Sequence, residues 1–197
     1  TTLRIVPDSD PSNPRTDFDN FCLMACAHGR YNLGDSKAAE IIARKLDVSA
    51  REHSLIELIN LAYKADIIFT SKPLYLYDHS GITMATTPFS CQWDSGQVGE
   101  ILVFKSDVKS EFGIKRMGKK VKEKMIAIAE SHIDSEVAAY DAYLSGDMYC
   151  LQLIDNEGVV EETMSGFIGY DVDKNGMAGC IDPSMIEALR ACEVAYS

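Results

Sequence analysis

The residues best suited to chemistry lie close together between Tyr75 and Gly99, in YLYDHSGITMATTPFSCQWDSGQVG. Asp78, His79 and Ser80 stand at the end of a run of β-forming residues, a place where a scaffold often presents functional groups. Cys91, Trp93, Asp94 and Ser95 follow in a polar, glycine-bearing loop that holds the only tryptophan of the chain. An aspartate–histidine pair near a thiol is raw material for nucleophilic catalysis, and Asp78, His79, Cys91 and Asp94 form the candidate catalytic set. The plain alternative is a turn shaped by Asp78 and Ser80, with His79 bonded to backbone. We expect these side chains to share one surface depression flanked by Trp93.

Two further clusters invite a metal. Cys22, Cys26 and His28 carry thiols and an imidazole, and His79 and Cys91 would complete a zinc set, but C-x3-C-x-H is no recognised finger. The alternative is a pair of core thiols on one face of a helix. In DVDKNGMAGCID, Asp171, Asp173, Asn175 and Asp182, with the Met177 carbonyl, match calcium-loop spacing, and Gly176 stands where such a loop turns sharply. A self-satisfied Asx turn is the plain reading of the same residues.

These groups need elements to position them. LRIV reads as a strand, and the segment after it carries three prolines in eight residues and reads as a loop. Thr16 is placed to cap a helix reaching about His28, with Phe18, Phe21, Cys22, Ala25 and Cys26 on helical spacing. Asp35 or Ser36 caps a helix carrying Ala38, Ile41, Ile42 and Leu46, and Ser49 starts the next. PLYLYDHS and GITMATTPF suggest a hairpin around Ser80-Gly81, and VGEILVFK adds a strand. A long helix from Gly118 to Leu144 turns Val121, Met125, Ile128, Ala129, Ile133, Val137, Tyr140 and Leu144 inward, with Gly146 ending it. A hairpin about Asp155–Gly158 follows, then a helix from Pro183 to about Tyr196 capped by Asp182. With neither repeat nor linker, the reading is one α+β domain over 1–197, mainly antiparallel sheet with segregated helices.

Charge narrows the function. The formal net charge is −11, which argues against general nucleic-acid binding. Residues 155–197 hold nine acids, among them Glu161 and Glu162, against Lys174 and Arg190, a net of −7. Residues 105–124 run the other way at +5, a solvated helical face or a docking site for an anionic partner. No apolar run spans a membrane, and the start lacks the pattern of a secretion signal, so the expected address is cytoplasmic. Six cysteines in mostly apolar settings, with no CxxC pair, are expected to be free and largely buried.

Four blocks, PRTDFDNFCLMACAHGRYNLGD, the Tyr75–Gly99 segment, YDAYLSGDMYCLQL and SGFIGYD, resemble a family of small proteins carried by bacteriophages and related mobile elements. Its members show a similar RYNLGD turn, DHSG strand end and C-x-WDSGQVG loop, and the likeness runs from about Pro14 to Tyr170. The resemblance implies origin in a bacterial host's mobile elements rather than a mechanism. It marks Cys26, His28, Arg30, Tyr31, Asp78, His79, Cys91, Trp93, Asp94 and Gln97, while Cys22 and the calcium-like loop depart from the pattern. The leading expectation is an acidic phage accessory protein that binds and inhibits a host protein, such as a defence system, with Glu161 and Glu162 contributing. Whether it is also an enzyme stays open. The alternatives are a hydrolase or nuclease using Asp78, His79 and Cys91, and a calcium-stabilised structural module.

Overall fold

The computed structural model describes residues 2–195. In chain order the strands and helices are β1 (Thr2–Pro7), β2 (Leu23–Cys26), α1 (Ala38–Leu46), α2 (Leu55–Lys64), β3 (Ile68–Asp78), β4 (Ile82–Ala85), β5 (Ser95–Phe104), α3 (Lys105–Glu111), α4 (Lys119–Ser145), β6 (Met148–Ile154), β7 (Val160–Ile168) and α5 (Ile186–Arg190). The fold is α+β, and every pairing between these strands is antiparallel. Within it, contacts gather into two compact units, one of residues 15–138 and one of 1–14 with 139–197.

The first unit is built on a four-stranded sheet ordered β2-β5-β3-β4. Residues 101–104 of β5 are all buried, so both faces of that strand are covered. On one face Leu23, Leu102 and Phe104 pack with Ile42, Ala43, Leu58 and Ile59 of α1 and α2. On the other, Lys72 pairs across the sheet with Ile101 and reaches Asp134 of α4 at 2.6 Å. Cross-strand partners share a face, so α4 lies on the Ile101 side. Over this stretch α4 buries Met125, Ala129, Ile133 and Val137, as its periodicity predicts, though Val121 stays exposed. Gly99 sits where β2 crosses closest, and a Cβ there would lie 2.0 Å from the Ala25 carbonyl. Only glycine fits that approach.

The second unit holds a three-stranded sheet ordered β1-β6-β7, with Leu3, Ile5, Tyr149, Leu151 and Phe167 packed on Met177 and Leu189. Gly146 takes a φ of 75° at the end of α4, and the hairpin turns at 155–158 as the sequence suggests.

Several local expectations are overturned. Residues 16–28 form no helix; an irregular segment leads into β2. The amides of Phe21 and Cys22 donate to the Glu136 carboxylate at 2.9 and 3.0 Å, and Met24 donates to Asp35 at 2.8 Å. Tertiary acceptors thus take the amides that a helix would use internally. Phe18 is exposed, and Asp35 serves this network rather than capping α1. Ser54, not Ser49, caps α2, through a capping box with Glu57. Asp182 accepts from the Ser184 amide as expected of a cap, but α5 ends at Arg190, and Tyr196 lies outside the described residues. All six cysteines are free, yet Cys180 is exposed and only Cys22 and Cys150 are buried outright.

Candidate functional site

The H-G-R-Y spacing at 28–31 folds on its own histidine. His28 Nδ1 accepts from the amides of Arg30 (3.2 Å) and Tyr31 (3.3 Å), and its ring stacks on Tyr31. That closed turn aims Arg30 and Tyr31 at the end of β3. The Arg30 guanidinium forms a short ion pair with Asp78, and the Tyr31 hydroxyl donates to the same carboxylate at 3.2 Å. Arg30 also lies over the Tyr31 ring, 5.6 Å from its centroid.

The hairpin turn and the following loop meet here. The Asp78 amide donates to the Asp94 carbonyl at 2.8 Å, closing the loop that carries Trp93. Ser80 takes a φ of 53° in the turn, and Ser95 donates to the Cys91 carbonyl. The Asp94 carboxylate holds His79 Nδ1 at 3.1 Å and the Cys91 thiol at 3.8 Å, both on one oxygen. Tyr77 bridges His79 and Phe89, with ring centroids 6.1 and 5.6 Å away.

His28, Arg30, Asp78, Trp93, Asp94 and Gln97 line a cavity of about 330 Å³, and Trp93 stands 96% exposed at its edge. His79 and Cys91 adjoin it through Asp94. The residues from 28–31, 78–79 and 91–97 therefore come together. Cys26 does not share this role: it ends β2 against Gly99, and burial pushes its thiol up to about 12.

The catalytic assignment changes in detail. Of the two aspartates in the candidate set, Asp78 is engaged by Arg30 and Tyr31, and Asp94 is the one that holds the His79 imidazole. The carboxylate bonds to both imidazole and thiol, and among the described residues no hydrogen bond joins Cys91 to His79. A general-base relay needs an imidazole nitrogen on the nucleophile.

Glu161 and Glu162 lie in the second unit, exposed on β7. The calcium-like residues are there too, each bonded locally. Asp171 pairs with Lys174 at 2.7 Å, and Asp173 pairs with Arg190 at 2.8 Å. Asn175 accepts from the Met177 amide and donates to the Gly169 carbonyl, while the Met177 side chain fills the core. Asp182 is occupied by Ser184. Among the described residues, no group of three or more His, Cys, Asp or Glu is arranged to hold a metal ion, here or at Cys22, Cys26 and His28.

The residues that sequence reading missed are structural. Arg15 is buried and forms a fork on Asp35 (2.9 and 2.7 Å), bonds Glu136 at 2.6 Å, and reaches Asn20 and the Cys22 carbonyl. Every buried side-chain nitrogen and oxygen of the described residues has a partner. Beside this network, burial first and then the Glu136 carboxylate hold the Cys22 thiol well above its ordinary range. One signal existed: Glu136 borders the apolar stripe formed by Ile133, Val137 and Tyr140.

No helix among the described residues is long and apolar enough to cross a membrane. Comparison with protein-family models, curated proteins and solved structures found no match.

Proposed function

We propose that this is a phage- or mobile-element-encoded accessory protein that acts in the bacterial cytoplasm by binding and blocking a host protein, a defence component being the leading candidate. The observation that carries the reading is Trp93, whose side chain is almost wholly in solvent beside a cavity walled by Arg30, Asp78 and Asp94. An exposed tryptophan has no folding role to offset its unfavourable hydration, and Trp, Tyr and Arg are the residues in which binding energy concentrates. The rim is ordered before any partner arrives, since His28 and Asp78 tie its loops together, which lowers the entropic cost of association. Glu161 and Glu162 supply a second, acidic contact that steers encounter with a basic partner.

The test is retention from host extract on immobilised protein, followed by calorimetry with the purified partner. Wild type and His79→Ala should retain the same protein, and Trp93→Ala should release it. Equal retention by Trp93→Ala would sink the reading. Turnover of an ester, peptide or nucleic acid that disappears in His79→Ala would install the hydrolase or nuclease alternative instead. Heat on adding calcium to stripped protein, with a rise in melting temperature, would support the calcium-stabilised module.

A further inference from the structure

We infer that the cavity beside Trp93 receives an arginine side chain of the partner protein. This rests on the reading above and names the chemistry it recognises.

The charges at the cavity do not cancel. Asp78 and Asp94 bring two carboxylates, and Arg30 is committed to Asp78, with which it forms an ion pair. His79 meets Asp94 through one oxygen only, Oδ2, which also takes the Cys91 thiol. Oδ1 accepts no hydrogen bond from the described residues, and the Asp94 side chain is 39% exposed. Gln97 uses its amide nitrogen on the Gly99 carbonyl at 3.3 Å, leaving its own carbonyl oxygen without a donor among the described residues. Two carboxylates face one guanidinium, so the charge left unmatched is that of Asp94, and a cationic donor balances it.

Trp93 narrows the donor to a cation with a flat face. Its ring lines the same cavity, and an indole is the best aromatic platform for a cation. A guanidinium is planar and weakly hydrated, stacks on aromatic rings, and directs several N–H donors in its own plane. It satisfies Asp94 Oδ1 and the Gln97 oxygen while lying on the indole. Its methylene stem suits the apolar floor made by Leu76 and Val98. An ammonium reaches one acceptor at a time and loses the stacking. A phosphate or carboxylate would face Asp94 and would have to compete with Asp78 for Arg30, the one guanidinium lining the cavity. The chain's net charge of −11 favours approach of a basic partner in the same sense.

Because Trp93 is the only tryptophan, its fluorescence, excited on the red edge where tyrosine does not absorb, reports this cavity alone. Titration with N-acetylarginine amide should change the emission saturably, with half-saturation on the order of 1–10 mM for so small a ligand. N-acetylcitrulline amide, the neutral isostere, should give no saturable change, and Asp94→Asn should weaken the arginine response about tenfold. A citrulline response equal to that of arginine would overturn the inference, as would no arginine response to about 50 mM. The citrulline comparison needs no variant, so it stands even if Asp94→Asn folds poorly. Retention of the host protein lost in Trp93→Ala but unchanged in Asp94→Asn would discard the arginine pocket and keep the binding reading. A selective arginine response with no host protein retained would do the reverse.

Discussion

The first unit contains two arginines set against carboxylates, and they could hardly differ more. Arg15 meets Asp35 and Glu136 with its side chain 1% exposed, and Arg30 meets Asp78 with its side chain 72% exposed. Around Arg15 the fork, two carboxylates, an amide and a carbonyl satisfy one another and also hold the backbone of residues 21–24. Around Arg30 the pair is single, the neighbours are loop ends, and acceptors on Asp94 and Gln97 remain open. Burial decides what the same ion chemistry does. Charges taken out of water must be fully compensated, and once compensated they fix a single arrangement, whereas charges left in water cost little and stay available to a partner.

The contrast breaks most sharply at Arg15. Arg15→Met removes one side of a buried network and strands Asp35 and Glu136. It should cost about 3–5 kcal/mol, read as a fall of roughly 6–20 °C in melting temperature. A loss below about 1 kcal/mol would mean that the network is not what holds residues 15–24 in place.

The thiols sharpen the same contrast in reactivity. Cys22 and Cys26 are held in their neutral form by burial, and Cys91 stands half-exposed in the open cluster. In native protein at pH 8, iodoacetamide should label Cys180 and Cys91 roughly 100-fold faster than Cys22 and Cys26. The linkage has a definite sign. Cys26 rises from 9.0 to about 12 on folding, so its contribution is fully present below pH 9 and is lost as pH climbs towards 12. Stability should therefore fall across that window. Uniform labelling of all six cysteines would contradict the burial assigned to β2 and its approach.

Smaller effects belong to the exposed side. Trp93→Ala should weaken partner binding by about 2 kcal/mol, or roughly 30-fold, and leave the melting temperature unchanged. Reversing Glu161 and Glu162 to lysine should weaken binding a few-fold at about 0.1 M salt and have little effect near 1 M, where screening shortens to about 3 Å. Arg30→Ala should change stability by no more than about 1 kcal/mol, since an exposed pair contributes little. If Arg30→Ala unfolded the protein as Arg15→Met is expected to, the distinction between scaffold and site would collapse.

Sequence alone determined whatever depends on periodicity and turn chemistry. The stripe of α4, the hairpins at 79–81 and 155–158, the strand character of β3, β5 and β6, and the density of functional groups between Tyr75 and Gly99 were all legible. Each is encoded by neighbours in the chain. Tertiary structure alone decided where a segment's hydrogen bonds go when distant acceptors compete for them. Phe21, Cys22, Ala25 and Cys26 sit on helical spacing, yet Glu136, more than a hundred residues away, takes the amides that helix would need, and β5 takes the rest. The same holds for the site. That Asp94 rather than Asp78 holds His79, and that Arg30 closes on Asp78, follows from the β3–β5 register and the folding of residues 28–31 about a histidine. In the calcium-like loop, spacing placed the oxygens in order, but Lys174, Arg190 and Ser184 engage the three carboxylates separately. Local pattern specifies which atoms are on offer; only packing in three dimensions, where each donor goes to its best-placed acceptor, specifies which of them meet.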